Sequence, residues 1–221
     1  MSNPAVWQLI RKDLYLLRWW SLGSIAGGLS AIALMTTSAL PINPGGLLLI
    51  CTFIVLLIFQ ALGAVQERKD QVALFVLSLP VSPLEYVTAK TVANLIAFGV
   101  PWLILTAAAA VAIGRSQIPD GYLPLWMAIM AYFVLYFGVL FAIGLNTDST
   151  GWHATVVTAG NISVNFFIMG LFGRPAVIAH GDGPTAVWTG DLMAIIVTAL
   201  VGGIASLVAG IVIFSRRTSY L

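Results

Sequence analysis

Charge is nearly missing from this chain. Only 8% of its 221 residues are Asp, Glu, Lys or Arg, whereas a soluble protein carries about 25%. That shortage excludes an ordinary water-solvated surface. The formal net charge of +2 is too small for a surface that grips nucleic acid phosphates. The single cysteine, Cys51, permits no disulfide within the chain, and a buried structural role is expected for it. The two histidines, His153 and His180, fall on opposite sides of the topology derived below and cannot share a metal. No Cys, His and carboxylate set has ligand spacing, so no metal site is expected. No nucleophile and base stand in a pattern that suggests catalysis, so no catalytic residue is expected either. The three lysines, Lys12, Lys69 and Lys90, do not follow a glycine-rich run as a phosphate loop requires. No cofactor is therefore expected in this chain, and any energy for work must come from a partner or an ion gradient.

What the chain has instead is apolar length. It is 60% hydrophobic, with a mean hydropathy of +1.00. Six runs, 22–40, 46–65, 92–113, 123–145, 154–172 and 192–214, each approach the roughly 20 residues that a helix needs to cross a bilayer. Membrane strands would read as segments of about 10 alternating residues, so helices are expected. The fold class is all-α: a polytopic membrane protein with six transmembrane helices, in a single domain over 1–221. No cleavable signal peptide is expected, because Arg11, Lys12, Asp13 and Arg18 interrupt the N-terminal apolar pattern.

Basic residues set the orientation, since Lys and Arg collect in cytoplasmic loops. With the N-terminus inside, Arg11, Lys12, Arg18, Arg68, Lys69, Lys90, Arg216 and Arg217 lie inside, and Arg115 and Arg174 lie outside. Both termini and segment 66–91 then face the cytoplasm, across the cytoplasmic membrane. Trp19, Trp20, Tyr122, Trp126, Trp152, Trp188 and Tyr220 fall near span ends, where amphipathic rings suit the headgroup region. Residues 4–20 read as an interfacial amphipathic helix, with Pro4 at its first position and Trp7, Ile10, Leu14 and Leu17 at helical spacing.

Polar residues inside spans face another helix or a cavity. Thr158, Asn161 and Asn165 share a face of the fifth span, and Gln60 and Asn94 lie in the second and third. Each either links helices or lines a pathway. The spans carry no central carboxylate, which weighs against a proton relay. No inverted repeat of broken helices is visible. Gly23, Gly27 and Ala31 in the first span, and Gly202, Ser206 and Gly210 in the sixth, form small-residue stripes that allow close helix approach.

One segment breaks the apolar pattern on the inside. Glu67-Arg68-Lys69-Asp70 is followed by Val72, Phe75, Val76 and Leu79, spaced as one apolar helical face. Pro80 and Pro83 end it, and a helix restarts toward Lys90. Such a face lies on lipid headgroups or docks into a groove of a soluble partner.

Six spans, an N-terminal interfacial helix, and an acid at the end of span two followed by LFVLSLPVSPLEYVTAK together resemble the permeases of ATP-binding-cassette exporters of the type-2 branch. The matching positions are Glu67, Arg68, Leu74, Leu77, Leu79, Pro80, Val81, Ser82, Glu85 and Lys90. The Gly-Thr pair that often precedes the motif is replaced by Gln71-Val72. The resemblance implies that Val72 to Leu79 form a coupling helix seated in a separate cytosolic ATPase subunit, present in two copies. The contact set is Glu67, Arg68, Val72, Leu74, Phe75, Val76, Leu77, Leu79 and Pro80. ATP and Mg would be bound by that partner. The resemblance also implies a second permease subunit, identical or related, with the pathway between the two. The stripe Gly23, Gly27 and Ala31 would suit that contact. The apolar spans favour a hydrophobic or amphipathic substrate. A haem-exporter-like permease is the sibling alternative, and a self-contained secondary transporter the distant one.

Overall fold

The computed structural model describes residues 4–37, 44–69, 82–147 and 149–216. Among these residues every regular element is helical: α1 Pro4–Thr37, α2 Gly45–Lys69, α3 Pro83–Arg115, α4 Tyr122–Asn146, α5 Thr150–Phe172, α6 Pro175–His180 and α7 Gly190–Ser215. Five stretches, Val6–Thr37, Leu84–Arg115, Tyr122–Asn146, Gly151–Phe172 and Gly190–Ser215, are long and apolar enough to cross a bilayer. The remaining expected span, α2, is helical over 25 residues. Its apolar part among the described residues is Gly45–Ala61.

The N-terminal helix differs from expectation. Residues 4–20 do not form a separate element, because α1 is one helix of 34 residues. Nothing between residues 5 and 26 stops it: no proline is present, and Gly23 stands alone, which a helix tolerates at about 1 kcal/mol. At 1.5 Å per residue α1 is about 50 Å long, well beyond a hydrocarbon core of about 30 Å. Its N-terminal half therefore extends past the apolar layer. The packed face is also turned from the one expected. Val6, Leu9, Ile10 and Leu14 meet Ala89, Val92 and Ala93 of α3, while Trp7 is 62% exposed. The small alanines of α3 make a shallow groove for Ile10. The turn that seats it there also buries Asp13.

α4 is the centre of the bundle. It packs most extensively on α7 and also touches α2, α3 and α5, while α1 packs mainly on α3 and α2. Phe53 stacks on Phe133 at 5.0 Å and Phe98 on Phe137 at 4.4 Å between ring centroids, joining α2 and α3 to α4. Trp126, expected near a headgroup, is instead buried in this core. The α4–α7 seam is built on glycine. A Cβ at Gly203 would stand 2.7 Å from the Val134 carbonyl oxygen, and one at Gly210 would stand 2.7 Å from Ala142 Cα. A Cβ at Gly138 would collide with the Gly203 carbonyl. The expected stripe was Gly202, Ser206 and Gly210. The seam instead uses Gly203 with Gly210, two turns apart, and Ser206 bonds back to the Gly202 carbonyl at 2.8 Å.

Polar side chains add cross-links. Trp102 Nε1 donates to the Met130 carbonyl at 2.9 Å. Tyr136 Oη shares its one proton between the Val157 carbonyl at 2.9 Å and Asn161 Oδ1 at 3.0 Å. Asn146 Nδ2 donates to the Gly210 carbonyl at 2.9 Å. On the opposite end from Lys90, Tyr122 Oη donates to Asp182 Oδ1 at 2.7 Å, and the Gly121 amide donates to the Gly183 carbonyl at 3.1 Å. These bonds tie the segment after α6 to the start of α4.

The seam makes a contrast between neighbours. Gly203→Val should destabilise the protein by roughly 2 kcal/mol through overpacking against backbone. Gly202→Ala, whose Cβ would meet only the flexible end of Leu135 at 3.1 Å, should cost little. Thermal unfolding of the two variants in nanodiscs checks this, and equal midpoints would refute the seam.

Candidate functional site

Charged and polar groups that the sequence spreads over α1, α2 and α3 converge near residue 90, where these helices meet α4. The first component is the start of α3. Ser82 is its N-cap, with φ −70° and ψ 152°. The Glu85 amide donates to Ser82 Oγ at 3.2 Å, and the Ser82 amide donates to Glu85 Oε2 at 2.8 Å. This reciprocal capping satisfies two backbone donors that a helix end otherwise leaves open. Pro83 follows at the first helical turn, where its fixed φ suits the helix. The helix therefore begins at a defined point directly after segment 70–81.

Two turns further along, α3 is tied to α1. Lys90 Nζ lies 3.0 Å from Asp13 Oδ2, and Lys12 Nζ lies 3.2 Å from Asp13 Oδ1. Asp13 is only 4% exposed. A carboxylate this deep needs its cation, because removing one member of a buried pair costs far more than the pair contributes in net terms. A second tie follows from proline. Pro101 lies inside α3 and has no N–H to offer the carbonyl four residues back. That carbonyl belongs to Ala97, and Ser21 Oγ of α1 donates to it at 3.0 Å. The two ties advance together along both helices, from 13 to 21 and from 90 to 97, so α1 and α3 run parallel. Tyr86, one turn before Lys90, also faces Phe214 of α7 with ring centroids 6.3 Å apart.

Beside the ion pair is a cavity of about 100 Å³, with Asp13, Lys90, Gln60 and Asn94 on its wall among leucine and phenylalanine side chains. Gln60 is buried, and among the described residues neither its amide oxygen nor its amide nitrogen has a hydrogen-bond partner.

The other candidate residues fall in different places. Asn161 accepts from Tyr136 and so links α5 to α4. Asn165 Nδ2 donates to the Asn161 carbonyl within its own helix at 2.9 Å, and Thr158 is exposed. Gly23 is exposed with open space beside it, Gly27 faces Thr52 of α2, and the Ala31 carbonyl abuts Gly45. The stripe is thus shared between an open surface and an internal α1–α2 contact. His153 is buried, with Nε2 at 3.1 Å from the Thr147 carbonyl. Glu67 and Arg68 belong to the last turn of α2. Val72, Leu74, Phe75, Val76, Leu77, Leu79 and Pro80 lie outside the described residues.

Sequence reasoning counted Asp13 only as part of a charged N-terminus. The available signal was its register, three residues after Ile10, on the face that meets α3.

A family model described as "ABC-2 family transporter protein" matches residues 8–216. No curated protein and no solved structure matches the chain.

The ion pair carries a stability prediction. Lys90→Met should destabilise the protein by about 3 kcal/mol, since it leaves Asp13 buried with only Lys12 beside it. Adding Asp13→Asn should recover more than half of that loss. Unfolding of the single and double variants in nanodiscs measures the coupling, and simple additivity would contradict a buried pair.

Proposed function

The chain belongs to the ABC-2 family of transporter proteins, and from that premise we propose that it is the permease subunit of an ATP-driven exporter. As a member of that family it is a multi-pass membrane transport component and not a catalytic subunit. The proposal adds six spans, with α2 as the sixth, and both termini on the cytoplasmic side of the cytoplasmic membrane. Eight of the ten basic residues on that side support the orientation. So do the parallel ties between α1 and α3, which fit a first and a third span entering from one face.

Two cytosolic ATPase subunits would supply the energy and would hold ATP and Mg, since this chain has no phosphate loop. Two permease copies, identical or related, would enclose the pathway. Nucleotide shifts such an assembly only if it favours one arrangement over the other, so the ATPase must be joined mechanically to the spans. The observation that carries the reading is the capped start of α3, placed directly after a segment whose sequence resembles a coupling helix. A displacement of residues 72–79 would pass through the Ser82–Glu85 cap into α3. Lys90 and Asp13 would carry α1 with it. The apolar spans favour a hydrophobic or amphipathic cargo, and the family resemblance implies that it moves outward.

Leu77→Asp and Phe75→Asp test the joint. Placing a carboxylate against an apolar groove costs on the order of 2 kcal/mol or more, so recovery of the ATPase with the tagged chain should fall at least about tenfold. ATP-dependent transport should fall with it. Full co-purification and transport in both variants would overturn the coupling role.

A further inference from the structure

The cavity at Gln60 is a better-built site than helix packing requires. Gln60 is 6% exposed, yet its amide oxygen and nitrogen have no partner among the described residues and it lines the cavity. Buried polar groups are nearly always paired, and one left unpaired bears the full cost of its desolvation. We propose that this cavity binds a single-chain amphiphile whose uncharged head both donates and accepts hydrogen bonds, such as an alcohol or a primary amide.

The head chemistry follows from what is left open. A primary amide offers one acceptor oxygen and two N–H donors, so its complement must do both. The charges on the wall call for no charged ligand, because Lys90 Nζ and Asp13 Oδ2 already hold each other at 3.0 Å. Asn94 adds polarity on the same wall, with Nδ2 donating to the Lys90 carbonyl at 3.0 Å. The tail chemistry follows from the remaining wall, where Leu57, Phe137, Leu140 and Phe141 present only carbon. A purely apolar guest would leave Gln60 bare, and a site with unmet hydrogen bonds rejects such a guest strongly.

Size sets the shape of the guest. The cavity, about 100 Å³, is smaller than the roughly 150 Å³ dry cavity that admits benzene. It takes the head and the first few carbons, and the rest of the chain passes out. Leu16, on the wall, is 56% exposed, which places the mouth at the exposed face of α1.

The proposal stands apart from the transport reading, because binding is read with no ATPase and no nucleotide present. The full chain in nanodiscs is irradiated with a hexadecanol that carries a diazirine in its chain, and the labelled peptides are mapped by mass spectrometry. Saturable labelling around Leu57 and Leu140 is expected, displaced by excess hexadecanol and not by hexadecane. Gln60→Leu should weaken labelling by about tenfold or more, because two hydrogen bonds are lost. The same variant should raise the unfolding temperature of the empty protein. Leu140→Trp, which fills the cavity, should abolish labelling. Extraction of protein purified without the probe separates a resident bilayer component, which co-purifies, from a passing solute, which does not; both fit the proposal. Equal displacement by hexadecane would overturn it, as would full labelling in Gln60→Leu. Non-saturable label spread over Leu47 and Phe166, as expected of a cavity holding only water, would also overturn it.

Discussion

Helices in hydrocarbon gain nothing from hiding apolar side chains from one another, because lipid is as apolar as leucine. Whatever holds this bundle must be contact that lipid cannot match. Two such contacts fix α4 against α7 and α1 against α3. Along α4 and α7 the backbones meet at Gly138, Gly203 and Gly210, closer than a lipid tail could pack. Between α1 and α3 an apolar contact is pinned by polar ties: a buried ion pair and a serine that completes the carbonyl freed by Pro101. Each is a local departure from plain apolar helix, and each positions a span.

This division of labour has a functional sense. The α4–α7 seam leaves no room to slide, since backbone faces backbone. Aromatic stacks carry that rigidity to α2 and α3 through Phe53–Phe133 and Phe98–Phe137. The α1–α3 joint is discrete, with partners that are either together or apart. It begins two turns after a capping box that marks the end of the segment proposed to meet the ATPase. Motion applied at residues 72–79 would reach α3 first and α1 through Asp13. The cavity with Gln60 lies against the same ion pair, so a guest there would touch the joint directly.

Much of this was legible in sequence, for definite reasons. Long apolar runs announced the helices, because a span must satisfy its own backbone. Asn161 was legible as an interhelical linker or pathway residue, and its bond from Tyr136 is the first of these. Ser82, Glu85 and Lys90 stood out through the family-like motif, and the first two close a capping box. Other features were hidden because their cause is a distant partner. Asp13 sits in a segment whose local pattern reads as an amphipathic helix, and only Lys90, far along the chain, explains its burial. Gly203 was passed over for Gly202 because spacing by four within one helix does not say which residue faces α4. The break expected near residue 21 is absent because a charge-to-apolar change alone does not stop a helix; a proline or a cap does. Gln60 remained two-sided in sequence, and the structure leaves its amide facing a cavity rather than a neighbouring helix.

The central claim is that α1 and α3 act as one body, clamped by Asp13–Lys90 and Ser21–Ala97, in a transporter driven from outside the chain. Pulsed electron paramagnetic resonance in nanodiscs with the proposed ATPase partner tests it most directly. Spin labels at the exposed positions Leu22 and Leu95 report α1 against α3, and labels at Leu95 in two permease copies report one half against the other. On adding ATP, the account predicts an unchanged distance within the subunit and a changed one between subunits. A change within the subunit, or none between subunits while ATP is hydrolysed, would contradict it.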